Sequence, residues 1–170
     1  MASSPSPLRV TEVAERLRAQ FGDDISELED SFGHVVATVA ASRYREVAVL
    51  VRDDPGIGCD FFDFTSAVDR KDEGIDVVTH VTNSRTGTGV RIKVRLPAEN
   101  PSIPTLSDVW PGADWHERET SELFGVDFEG HPHLVKLVLP EQFEGHPLLK
   151  SFELMSRVAK PWPGDTELPD

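Results

Sequence analysis

Residues 76–96 read DVVTHVTNSRTGTGVRIKVRL, and this stretch decides the fold. Val90, Ile92, Val94 and Leu96 alternate with Arg91, Lys93 and Arg95. That is a strict period of two, with one apolar and one cationic face, and it predicts a half-buried strand. Asp76–Thr82 is rich in β-branched residues and predicts a second strand. The loop between them, Asn83–Gly89, carries two glycines, so the two strands form a hairpin with a slightly long connection. Just upstream, Cys59–Val68 alternates between two aromatic-rich faces and predicts a third, well-buried strand. Downstream, Pro97, Pro101 and Pro104 are expected to end the sheet.

Working outward, Val10, Val13, Ala14, Leu17 and Phe21 follow helical spacing, with Thr11 as the expected N-cap and Gly22 as the stop. His34–Ala41 predicts a short strand. Tyr44, Val47, Ala48 and Val51 return to helical spacing, with Ser42 as the expected cap; this helix stops before the turn-forming Asp53-Asp54-Pro55-Gly56. Helix, strand, helix and hairpin together predict an α+β body over residues 10–104. Its N-terminal and second helices pack on a small, mostly antiparallel sheet. Residues 1–9 are rich in Ser and Pro and are expected to be disordered. Residues 105–153 predict a helix followed by an extended C-terminal arm. Residues 154–170 predict an extended acidic tail carrying Trp162.

Composition narrows the function. Among 170 residues, 30 are acidic and 17 basic, a formal charge of −13. Phosphate recognition needs clustered Lys and Arg, so a nucleic-acid partner is excluded, and direct binding to an anionic lipid surface is disfavoured. A partner protein with basic patches suits this field. The single cysteine, Cys59, leaves no intramolecular disulfide and no all-cysteine metal site within the chain. It sits in the apolar run CDFFDF and reads as a buried, inert thiol. No run approaches the ~20 apolar residues of a membrane span. Gly56-Ile-Gly58 and Gly87-Thr-Gly89 lack the third glycine and the helix start of a dinucleotide turn.

The chemistry-bearing residues lie beyond the sheet. Asp114-Trp-His-Glu117 predicts a helix start in which Asp114 caps and Glu117 reaches back, with the end at Gly125. Arg118 lies four residues before Glu122, in range for an ion pair. The pentapeptide FEGHP then occurs twice, at Phe128–Pro132 and Phe143–Pro147. Its histidines support three readings. The first is a metal site drawn from His116, Glu119, His131, His133 and His146, although the spacing matches no established pattern. The second is acid–base chemistry, with His131 or His146 beside Glu117 or Glu119, although no nucleophile or phosphate loop accompanies them. The third is architecture. Each Gly turns the chain and each Pro holds the preceding His extended, so the repeat makes two hinges on an arm whose Leu134, Leu137, Val138 and Leu139 lie against something else. The rest of the sequence favours the third, with closure of the arm over the chain's own domain as its simpler form.

Glu117-Arg118-Glu119, Leu123-Phe124-Gly125-Val126, Phe128, Gly130-His131-Pro132, Leu134, Leu139-Pro140 and Gly145-His146-Pro147-Leu148 with Lys150 resemble the signature of the 30 kDa-type subunit of NADH–quinone oxidoreductase, respiratory complex I. Pro101–Pro104 and Trp110–Trp115 resemble that family's approach to the motif. Four places depart from the pattern. Ser121-Glu122 replaces an aromatic–acid pair, Val135-Lys136 replaces two arginines, Phe143 replaces a Trp, and Leu149-Lys150-Ser151 replaces Arg-Lys-Asp. The resemblance implies a non-catalytic structural subunit of the hydrophilic arm, an enzyme only as part of the translocating complex. It also implies a partner interface at Glu117, Arg118, Glu119, Leu123, Phe124, Gly125, His131, Pro132, Leu134, Lys136, His146, Pro147, Leu148 and Lys150. The implied partners are the hydrogenase-like large subunit that forms the quinone pocket and the neighbouring iron–sulfur subunits. Iron–sulfur clusters, flavin and quinone are expected in those subunits and none in this chain. The implied location is peripheral, on the cytoplasmic side of the cell membrane and held there only through the complex. The equivalent subunit of a membrane-bound hydrogenase, or of a ferredoxin- or deazaflavin-fed relative, is the alternative implied by the departures.

Overall fold

The computed structural model describes residues 9–153. Expectations for residues 1–8 and 154–170, including the acidic tail and Trp162, lie outside the described residues. Helices α1 (Val10–Phe21) and α2 (Tyr44–Asp53) accompany strands β1 (Ile25–Ser31), β2 (His34–Val39), β3 (Phe61–Asp69), β4 (Ile75–Thr82) and β5 (Gly89–Leu96). A short strand β6 (Ser102–Pro104), helix α3 (Ala113–Phe124) and a short strand β7 (Asp127–Glu129) follow. The first five strands form one sheet in the order β1-β2-β5-β4-β3. All of its neighbours run antiparallel except β2 and β5. The fold is α+β, as the alternation in 76–96 predicts.

Side-chain alternation sorts this sheet into two unlike faces. One carries Val35, Ala37, Val77, Val81, Val90, Ile92 and Val94, all buried against Val13 and Leu17 of α1 and Val47, Ala48 and Val51 of α2. Each such side chain contributes about 1.5–3 kcal/mol on leaving water. Tyr44 brings the one polar group of α2 into this layer. Its hydroxyl pairs with Thr79 Oγ1 at 2.6 Å, and Thr79 pairs with Thr65 at 2.7 Å, so the buried hydroxyls satisfy one another. Cys59 is fully buried here; desolvation pushes its thiol up to about 12, and it is an inert core residue as expected. The opposite face carries Val36, Arg91, Lys93, Asp76, Val78, His80 and Phe64, and no described helix lies on it.

Several local expectations are corrected. Strand β1, ISELEDS, escapes an alternation test because only Ile25 is buried in it; pairing with β2 makes it a strand. Helix α1 starts one residue before Thr11, and Glu12 accepts the Arg9 N–H at 2.9 Å in place of a threonine cap. Ser42 lies inside a single 3-10 turn that leads into α2, so it is no cap either. Pro104 does not end pairing. It is the last residue of β6, which pairs in parallel with β7 through the register Ile103–Phe128. Ile103, Leu106, Val109, Trp110, Phe124 and Phe128 are buried in the same continuous core as the first sheet, so α3 belongs to the body and is not an appendage.

Candidate functional site: a helix with an arm folded along it

Helix α3 lies against the edge strand β3. The otherwise free Thr65 carbonyl accepts from Thr120 Oγ1 at 3.4 Å and from His116 Nδ1 at 3.3 Å, which satisfies a sheet edge with side chains. The helix starts at Ala113 after Gly112, not with Asp114 as a cap. Glu117 therefore falls beyond the first turn and cannot reach back as a capping-box residue. It is fully buried instead. Its carboxyl accepts from the Thr105 hydroxyl and, at 2.6 Å, from the Leu106 N–H, which ties α3 to the segment after β6. Burial pushes this carboxyl up to about 7. The two hydrogen bonds pull it back, and the nearby acids Asp114 and Asp108 push it further up.

From β7 onward the chain turns back along α3, and polar groups of the helix hold it there. Glu122, also buried, accepts three backbone N–H groups, from Leu137 at 2.9 Å, Val138 at 2.7 Å and Leu139 at 3.3 Å. Arg118, expected to pair with Glu122, donates instead to the carbonyls of Val135 at 3.0 Å and Lys136 at 3.3 Å. Four residues apart on one helical face, the cation reads the carbonyls and the anion reads the N–H groups of a single segment, which bends at Leu137–Leu139. Lys136 folds over its own loop and donates to the Phe143 carbonyl at 2.5 Å and the Glu141 carbonyl at 3.1 Å. The arm ends against β3, where Asp69 accepts the Lys150 N–H at 2.7 Å. That bond, with one from the Lys71 N–H, holds Asp69 below the usual carboxylate range.

The two FEGHP turns take the two ends of the helix. In the first, the His131 imidazole is fully buried. Its Nδ1 accepts the His133 N–H at 3.1 Å, so Nε2 carries the proton and donates to the Asp114 carbonyl at 3.2 Å. In the second, His146 Nδ1 donates to the Glu122 carbonyl at 2.8 Å. Gly125, at φ 76°, caps α3 in the left-handed region, and the His146 ring packs where a Cβ on it would stand. The two imidazoles thus meet carbonyls eight residues apart, about 12 Å along a helix. They do not converge on one point. Among the described residues, no group of three or more His, Cys, Asp or Glu has the arrangement of a metal site. The hollow left between α3 and the arm is about 220 Å³, below the ~300–1,000 Å³ of ordinary ligand pockets.

The remaining residues of the expected interface divide by depth. Phe124 is buried, and Leu123 and Leu134 pack partly into the core. Pro147 is half-buried, whereas Glu119, Pro132 and Leu148 are exposed. Sequence reading missed Thr105, Leu106, Thr65 and Asp69, which anchor α3 and the arm. Each is an ordinary residue in a loop or strand, and only the tertiary pairing gives it a role.

This architecture matches that of known proteins. The model of the family "respiratory-chain NADH dehydrogenase, 30 Kd subunit" matches residues 37–158. The NADH-quinone oxidoreductase C subunit of Roseiflexus sp. is 38% identical over 84% of this chain and 83% of its own length. A C-type NADH-quinone oxidoreductase subunit of Rhizobium meliloti is 36% identical over 88% of this chain and 75% of its own. Among solved structures, a trypsin-resistant fragment of Nqo5 superposes with a TM-score of 0.62 at 27% identity, covering 75% of this chain and all of that one. A chain of an archaeal membrane-bound sulfane sulfur reductase gives a TM-score of 0.70 at 24% identity over 85% of this chain and 86% of its own, which establishes a shared fold. Among the described residues no helix is long and apolar enough to cross a membrane. With the α3 signature, both GHP turns and the α+β body in place, the chain belongs to the family of the respiratory-chain NADH dehydrogenase 30 kDa subunit, a component of NADH–quinone oxidoreductase.

Proposed function

We propose that this chain is a non-catalytic structural subunit of the hydrophilic arm of a proton-translocating NADH–quinone oxidoreductase. It packs through α3 and the arm on the hydrogenase-like large subunit. It holds no cofactor; flavin, iron–sulfur clusters and quinone reside in neighbouring subunits, and this one sits peripherally on the cytoplasmic side of the membrane. One observation carries the docking surface. Side chains of α3 hold the arm's backbone, and both turn apolar side chains outward: Trp115 of α3 is 65% exposed, and Val138 63%, Leu148 51% and Val135 46% on the arm. Four large apolar side chains on one helix and its arm are what a partner covers, and Trp is the residue type most enriched at interface hot spots. Glu119 and the Lys150 side chain, both exposed, supply polar groups for a rim. In this reading His131, His146, Glu117 and Glu122 act indirectly, by fixing the shape of the surface.

The test is to co-express the tagged chain with the other peripheral-arm subunits. The wild type retains the large subunit on purification. Trp115→Ser combined with Leu148→Ser loses it while the thermal transition of the free chain stays within a few degrees. Retention of the large subunit by the double variant contradicts the assignment.

A further inference from the structure

Four acids are buried among the described residues: Asp69, Asp76, Glu117 and Glu122. Three are compensated as charges. Arg95 and Arg70 reach Asp76 at 2.6 and 3.0 Å. Glu122 accepts three backbone N–H groups, and Asp69 accepts two. Glu117, the deepest of the four, has one backbone N–H and one hydroxyl, and no Lys or Arg pairs with it among the described residues. The groups that face it add no positive charge. On α3 itself stands Asp114, and on the connection from β6 to α3 stands Asp108, which pairs with Arg45 of α2. From α2 comes the buried Tyr44, whose hydroxyl is spent on Thr79. From the first FEGHP turn comes His131, with Nε2 3.9 Å from the carboxyl. Its Nδ1 already accepts the His133 N–H, so the ring could turn cationic only by giving up that bond. An unpaired buried carboxylate is costly, and the neutral acid avoids the cost.

The hydroxyls beside Glu117 lead outward. Thr105 has one hydroxyl hydrogen and two oxygens in reach, Glu117 Oε2 and, at 2.9 Å, Ser107 Oγ. With Glu117 protonated, the acid donates to Thr105 and Thr105 donates to Ser107. With Glu117 ionised, the order reverses: Ser107 donates to Thr105 and Thr105 to the carboxylate. Thr105 and Ser107 also line an open hollow of about 530 Å³ that Asp108, Asp114 and Glu129 border. The buried carboxyl is therefore two hydroxyls away from solvent, behind the short Thr105–Ser107 segment alone.

We propose that Glu117 is a proton-binding site closed by the Thr105–Ser107 segment, and that this segment is a lid whose opening towards the hollow releases the proton. Closed, the lid shields the neutral acid. Open, water from the hollow reaches the carboxyl and stabilises its charge. The closed form keeps the proton up to about pH 7, whereas a solvated carboxyl loses it near 4.5, so opening becomes easier as pH rises through that window and gains nothing further above it. Because the lid is fastened to α3 through Glu117, the seating of that helix on the chain responds to proton concentration. The site needs no partner subunit, so its failure and that of the docking assignment are separate.

The experiment uses the full chain. The carboxyl-carbon NMR signal of Glu117 is followed across pH, and amide exchange at Leu106 and Ser107 is compared between wild type and Glu117→Gln at each pH, so that the intrinsic pH dependence of exchange cancels. Gln copies the protonated acid, with an acceptor for Leu106 and a donor for Thr105. The carboxyl should titrate near 7, and Thr105→Val, which removes a hydroxyl that favours the carboxylate, should move its midpoint higher. The wild-type to variant ratio of exchange rates at Leu106 should climb on the order of 100-fold from pH 4.5 to 7 and then level off. In the wild type, Leu106 and Ser107 should exchange faster than Val77 and Ile92 throughout, because the lid opens without the body. A midpoint near 4.5 would show a charge held inside the fold and would overturn the proton site. A midpoint near 7 with a constant ratio at Leu106, or with Leu106 exchanging only as fast as Val77, would overturn the lid.

Discussion

The sheet body and the α3–arm region are held by different physics. In the body, side chains from α1, α2 and all five of the sheet's strands share one apolar layer, and stability comes from area removed from water. In the arm, Leu134 and Leu149 are the residues that touch that layer, and Glu122, Arg118, His131, His146 and Asp69 hold the rest by binding its backbone. Apolar burial is tolerant of sequence and non-directional. Side-chain-to-backbone bonding is neither, so the arm depends on a handful of groups while the body depends on many. The body can therefore stay folded while the arm opens, which is the expected behaviour of a segment shaped for docking.

Breaking the body should have the largest effect. Ile92→Ala, at a fully buried position in β5, should cost about 2–5 kcal/mol of global stability in urea titration, and the arm should lose its fold along with the sheet. Glu117 sits where the two regions join, and pH sharpens its role. Its carboxyl titrates near 7 when folded against an ordinary value of 4.5, so the folded state holds this proton more tightly. Its contribution is fully present below pH 4.5 and is lost as pH rises to 7. Glu117→Gln, which keeps an acceptor for Leu106 and takes on no charge, should gain on the wild type across that window by an amount on the order of 2–3 kcal/mol at pH 8. Equal pH profiles for the two proteins would remove Glu117 from the account. Glu122→Ala leaves three backbone donors without their acceptor, at about 1–3 kcal/mol. It should accelerate amide exchange at Leu137–Leu139 and leave Val77 and Ile92 unchanged. Gly125→Ala should have the smallest effect, about 1 kcal/mol for a left-handed Ala, visible as a shifted His146 ring signal because a Cβ would come within 2.9 Å of that ring.

The same contrast explains what the sequence revealed. β5 is legible because period-two burial writes itself into residue order, β4 from its β-branched run and β3 from its alternation, although β3 is a half-exposed edge strand and not the well-buried one expected. α1 and α2 were legible because their buried positions recur at helical spacing. β1 was not, since an acidic edge strand with one buried residue carries no pattern of its own. At the candidate site, the two FEGHP turns were legible as hinges from Gly and His-Pro alone. Where the hinges land was not, because bonds such as those from Asp69 to Lys150 and from Glu117 to Leu106 join residues that nothing local links. The arm was expected to lie on a partner or to close over its own domain, and it lies along α3 of its own chain. Arg118 and Glu122, at four-residue spacing, looked like an ion pair because opposite charges at that separation ordinarily meet. A backbone segment within reach of both takes them instead.

The central claim is that the arm is folded along α3 by this chain alone, before any partner binds. Amide hydrogen exchange on the isolated full chain tests it most directly, read at Leu137, Val138 and Leu139. Slow exchange there in the free chain, little changed when the other subunits are added, is the predicted result. Exchange at the rate of an unfolded segment in the free chain, becoming slow only on assembly, would contradict it.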